Sequence, residues 1–177
     1  MKTLRIIGTA VAVAGAVLTL GPVGSANAAG TGDTTATFTL AGGSLDVTPA
    51  ASAALTNGAP GAASVSGSLG AVGISDTRGS TAGWVMSAAS TTFVRTGGGA
   101  DTTSTGVSYN SGAATASTGT VTPTSTGATS ITAAAPVAAG TLASGNNTAS
   151  YTPTLTVALP ASALAGNYTG TVTTSIL

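Results

Sequence analysis

Cysteine, histidine, glutamate and glutamine are all missing from this 177-residue chain, and only 5% of its residues are charged and 3% aromatic. Without cysteine no disulfide can form, so the fold depends on packing and backbone hydrogen bonds. Without histidine or cysteine neither a zinc site nor a Ser-His-Asp or Cys-His nucleophile can be assembled. Lysine occurs only at Lys2, so beyond the N-terminus no Lys–Asn isopeptide bond is possible. Past residue 28 two arginines, Arg78 and Arg95, stand against Asp33, Asp46, Asp76 and Asp101. That surface cannot neutralise a row of phosphates and offers no polybasic patch to anionic lipid, which argues against nucleic acid and membrane surfaces as partners. The four aspartates are far apart and none opens an EF-type loop, so calcium is not predicted. Asp33-Thr34 and Asp76-Thr77 lack the glycine that an aspartic-protease motif needs next. No catalysis, cofactor or metal is expected.

What is present begins with a leader pattern. Lys2 and Arg5 precede an uncharged apolar run, Ile6 to Leu20, which Gly21-Pro22 breaks; Ala26-Asn27-Ala28 follows with small residues at both recognition positions. This predicts a secretory signal peptide over 1–28, cleaved after Ala28. The run is too short for a convincing membrane span, and no second one follows. Residues 29–177 then form one domain of roughly 150 residues. Leu159-Pro160-Ala161-Ser162 is not a sortase signal.

Threonine, serine, glycine and alanine dominate the rest. Threonine loses rotamer freedom in a helix and suits a pleated surface, and turn residues recur at short intervals. The expectation is all-β: a single antiparallel β-sandwich with threonine-rich outer faces. Thr35 to Leu40 alternates, with Ala36, Phe38 and Leu40 on one face, and Gly42-Gly43 turns into a strand over 44–48. One or two strands fall within 63–74. Ser75 to Gly79 reads as a turn, because an aspartate side chain can accept from the backbone two residues on. The next strand puts Trp84, Met86 and Ala88 on one face. Weaker strands are predicted at 106–109, 119–122 and 128–137, with a turn at 144–147. Ser150 to Leu159 alternates with Pro153 marking an edge or bulge. Pro160 to Ala165 makes one helical turn, and 167–177 alternates to the end.

Four residues are candidates for ligand contact. Trp84, the one tryptophan, is in phase with Met86 and Ala88, which predicts an indole bridging two layers; its other role would be a stacking platform for a glycan. Tyr109, in a polar stretch, is the best candidate for an exposed aromatic. Asp76 and Arg78 read as a turn-stabilising surface pair, or as a site for a peptide amine or carboxylate.

Three segments resemble the WxL-domain surface proteins of Gram-positive bacteria: Asp76-Thr-Arg-Gly79, Gly83-Trp-Val-Met86, and Tyr151-Thr-Pro-Thr-Leu-Thr-Val-Ala-Leu159-Pro160. The closing Ala165-Gly-Asn-Tyr-Thr-Gly-Thr-Val-Thr173 is similar to the last strand of their actinobacterial relatives. The resemblance covers about Thr35 to Leu177. It departs from the family at Met86, where the first motif has leucine, and at Val157, where the second usually has tryptophan. It implies an Ig-like sandwich over 29–177, secreted and held non-covalently to the cell wall through peptidoglycan, with related surface proteins as neighbours. The alternative is a structural subunit of a surface fibre or layer that assembles by strand addition, since threonine-rich strands with little charge leave few guards on sheet edges.

Overall fold

The computed structural model describes residues 30–98 and 104–177. The expected cleavage point after Ala28 and part of the glycine-rich loop over 96–101 lie outside the described residues. Residues 39–177 make one compact unit. Among the described residues there is no helix, and none therefore that is long and apolar enough to cross a membrane.

Among the described residues fourteen strands, numbered in chain order, pair antiparallel. The first sheet has β1 (Leu45–Thr48), β3 (Val72–Ser80), β11 (Gly145–Tyr151) and β7 (Ala116–Thr118), side by side in that order. A second sheet has β14 (Val172–Ile176), β4 (Trp84–Ser90), β10 (Ala135–Thr141) and β8 (Thr122–Ser125). The third has β2 (Ser64–Ser68), β12 (Thr154–Ala158), β6 (Gly106–Asn110) and β9 (Ala128–Ser130). A short ribbon joins β5 (Val94–Arg95) to β13 (Tyr168–Thr169).

The first and third sheets are continuous along the chain. β2 runs into β3 through Leu69 to Ala71, and β11 runs into β12 through Thr152-Pro153. The Leu69 N–H donates to the Pro153 carbonyl at 2.9 Å across this joint. Proline has no N–H for a ladder, so pairing breaks there and the strand changes sheets. The side-chain alternation survives the break: Tyr151, Pro153, Leu155 and Val157 are buried, with Thr152 and Thr154 exposed between them. Pro153 thus marks a change of sheet rather than the edge or bulge expected of it.

The second sheet packs on this long layer, an arrangement consistent with a β-sandwich. Trp84 of β4 meets Tyr151 of β11 edge to face, ring centroids 6.5 Å apart and planes at 90°. Met86, Val72, Ile74, Val107, Ile131, Val137 and Leu155 fill the same core. The period of two in β4 places Trp84, Met86 and Ala88 inside, as their spacing predicts.

Several local expectations are corrected. Thr35 to Leu40 belongs to no strand, and Phe38 and Leu40 are exposed. Ser75 to Gly79 is not a turn but lies within β3; the chain reverses at 81–83 instead. Residues 119–121 connect β7 to β8 rather than forming a strand, and Gly145 to Asn147 open β11 rather than turning. Residues 160–165 make no helical turn, only a reverse turn with Ala163 N–H donating to the Pro160 carbonyl at 2.9 Å. The reason is common to most of these: side chains such as Thr, Gly and Asn suit both turn and strand, and pairing partners distant in sequence decide.

Candidate functional site

Trp84 is 3% exposed and stands against Gly140 of β10, where a Cβ would overlap the indole. A ring enclosed this way is a packing element and offers no face to a glycan. Tyr109, expected at the surface, is fully buried on β6 in phase with Val107. Its hydroxyl has no partner among the described residues, and burial pushes the phenol up to about 12. Tyr151 is equally buried and raised to about 12 by the same desolvation, but it donates to the Thr124 carbonyl at 3.2 Å.

Asp76 and Arg78 form no open site. β3 points Val72, Ile74 and Asp76 inward, so the carboxylate is carried into the sheet and is 2% exposed. Arg78 closes over it: Nε donates to Oδ1 at 2.9 Å, Nη2 to Oδ2 at 2.8 Å, and its own N–H to Oδ1 at 3.1 Å. Nη2 also donates to the Ala82 and Gly83 carbonyls at 3.1 and 3.0 Å, which pins the β3–β4 connection. The guanidinium hydrogen bond outweighs desolvation and holds the carboxyl below its usual 3.8. The pair is therefore a clasp on the connection that carries the chain from one sheet to the other, its carboxylate buried and its guanidinium part-exposed, with both groups committed to each other and to that connection. Among the described residues no three acidic side chains come together to hold a metal ion.

Of the buried polar residues that escaped the sequence reading, Asn147 and Ser111 are the most enclosed. Asn147 on β11 is 2% exposed; its Oδ1 accepts from the Thr120 and Val121 N–H groups at 2.8 and 3.0 Å, and its Nδ2 donates to the Gly145 carbonyl at 3.1 Å. Ser111 donates to the Val137 carbonyl at 2.8 Å and fastens the end of β6 to β10. Asn147 sits next to Asn146 in a turn-like stretch, and only its register opposite Asp76 reveals its inward side. Ser111 gives no signal in sequence.

Two concavities stand out among the described residues. The larger, about 460 Å3, opens between the Ala53–Ala62 loop and the Ala163–Tyr168 loop. Phe93, Leu159, Asn57, Asn167 and Tyr168 are among the residues that line it. Tyr168 is fixed there because its hydroxyl donates to the Leu164 carbonyl at 2.8 Å. Proline at 60 and 160 and glycine at 58, 61 and 166 interrupt strand pairing along these two connections, and the trough lies between them. The smaller, about 290 Å3, runs beside β14, between Gly170 to Thr174 and the Pro49–Ala53 loop, with Phe93, Val72 and Tyr109 below. No family model, curated protein or solved structure matches this chain.

Proposed function

We propose that this chain is a secreted, non-catalytic Ig-like sandwich that binds the polymer of the cell wall through the larger trough. The observation that carries the reading is the lining of that trough: an aromatic ring held in place at Tyr168, a second at Phe93, and the Asn57 and Asn167 amides alongside. Aromatic faces with a few fixed amides suit an uncharged sugar ring bearing hydroxyl and acetamido groups. The near-neutral surface supports the same choice, because a charged polymer would find little to pair with. Peptidoglycan is the polymer that the WxL resemblance implies, and the leader pattern over residues 1–28 would deliver the domain to it. The contact moves from Trp84 and Tyr109, which are enclosed, to side chains on the two loops.

Co-sedimentation with purified peptidoglycan tests the proposal. The secreted protein is expected in the pellet, and Tyr168→Ala or Asn57→Ala is expected to weaken retention about tenfold, the equivalent of about 1.4 kcal/mol, with an unchanged far-ultraviolet spectrum. Retention unaffected by either change would remove the trough from the account. No retention of the parent protein would remove the wall as its partner.

A further inference from the structure

We propose that residues 34–40 of one copy add as an extra strand to the open edge of β14 in a second copy, with Phe38 seated in the cleft beside it. The donor segment, Thr34-Thr35-Ala36-Thr37-Phe38-Thr39-Leu40, has the period-two pattern of a half-buried strand. Yet it belongs to no strand, and Phe38 and Leu40 are 87% and 86% exposed. Among the described residues no backbone hydrogen bond satisfies residues 34–40.

The acceptor is equally incomplete. β14 pairs only with β4. Leu177 and Val85 exchange both backbone hydrogen bonds, at 3.0 and 2.8 Å, and Thr91 N–H donates to the Thr171 carbonyl at 2.9 Å. Bonded pairs alternate along an antiparallel ladder, so Val172, Thr174 and Ile176 turn their N–H and C=O groups away from β4. Among the described residues no backbone group meets them. The cleft of about 290 Å3 lies against this edge, with Phe93 and Val72 in its lining.

Other edges are guarded and this one is not. β1 carries Asp46 and runs into Pro49, and β8 contains Pro123. The Ser66 carbonyl on β2 is already taken by Thr56 N–H, and β7 and β9 are three residues each. β14 is five residues, Val-Thr-Thr-Ser-Ile, with no charge and no proline. Short strands, charge and proline are the usual protections against edge pairing, and β14 lacks all three. Residues 34–40 carry no charge either, so nothing repels the two strands. In the same chain Gly43 N–H is tied to the Thr77 carbonyl of the first sheet at 2.9 Å. A second copy carries the same anchor to its own first sheet, and its residues 34–40 extend beyond that anchor to reach a neighbour. The contact is head to tail, so repetition gives an open chain of subunits rather than a closed dimer.

The chain has no cysteine, which makes disulfide trapping decisive, and wall polymer is left out so that the outcome is independent of the trough. The full secreted protein with Thr37→Cys is mixed with the same protein carrying Thr173→Cys. A disulfide-linked heterodimer well above either homodimer is expected. Sedimentation velocity of the parent protein is expected to show association rising with concentration. Phe38→Asp, a change at an exposed site, is expected to raise the concentration for half-association about tenfold or more. A protein that stays monomeric at every concentration and gives no heterodimer would overturn the proposal. So would a doubly substituted chain whose disulfide closes within the monomer at all dilutions, which would assign the strand to its own chain.

Discussion

Tyr109 and Tyr151 bury the same phenol in the same core, yet only Tyr151 has a carbonyl to donate to. An enclosed hydroxyl without a partner forfeits its hydration and regains nothing, whereas a bonded one recovers most of it. Tyr109→Phe is therefore expected to leave stability unchanged or to raise it by about 1 kcal/mol, and Tyr151→Phe to lower it by about 1 kcal/mol. Urea midpoints of the two variants decide this, and equal losses would show that Tyr109 is satisfied after all. Part of the residue-scale picture was open to inspection in the chain. Val107 and Tyr109 share a phase, as do Val72, Ile74 and Asp76, so the inward position of both polar residues follows once each strand is known to run that far. The polar neighbours of Tyr109 and the turn-forming habit of Asp and Gly hid it. Asp76 tolerates the interior because Arg78, two residues on, reaches the same carboxylate with two guanidinium nitrogens.

β4 and β10 show how an element is specified by what its neighbour leaves out. Trp84 and Gly140 face each other in register, and the indole occupies the space a side chain at 140 would need. Gly140→Ala must displace the ring or bend β10; overpacking of this kind costs about 1–3 kcal/mol. Denaturation followed by the fluorescence of Trp84 is expected to show that loss together with a shifted native emission. A silent substitution would mean that the core is loose at this point. Strand β4 was legible from its alternation alone, because a period of two on a half-buried strand is a local property. The fate of 150–159 was not. Its alternation is unbroken, but Pro153 divides it between two sheets, and which strands stand opposite each half is set by segments distant in the chain, such as the partners Val72 and Ala116 of the first half and Ser68 and Asn110 of the second.

For the molecule as a whole, the buried titratable groups define the pH range of stability. Asp76 titrates lower in the folded state than its ordinary 3.8, so its contribution is complete above that value and is lost as the pH falls through the folded one. Tyr109 and Tyr151 are displaced the other way, from 10.0 to about 12. The folded state keeps their protons where the unfolded chain would release them, so stability is full below pH 10 and declines between 10 and about 12. Denaturant midpoints across pH are expected to form a plateau with a limb at each end. Asp76→Asn lowers the plateau and flattens the acid limb while leaving the alkaline one in place. An acid limb of undiminished slope in that variant would place its origin in other carboxylates.

At this scale composition and periodicity were enough for the class of structure. A chain with abundant threonine and glycine, almost no charge and short alternating segments can bury apolar area only as paired strands in layers. Chain periodicity also marked β4 and the inward side of β12, because phase along a strand needs no partner to be defined. Pairing did need one. Only the tertiary structure could enclose Tyr109, close Arg78 over Asp76, break the strand at Pro153, and leave, among the described residues, one edge of β14 unpaired and the segment around Phe38 outside any strand. Those outcomes depend on which distant strands meet, and hydrogen bonds between segments far apart in the chain leave no mark in the spacing of residues along it.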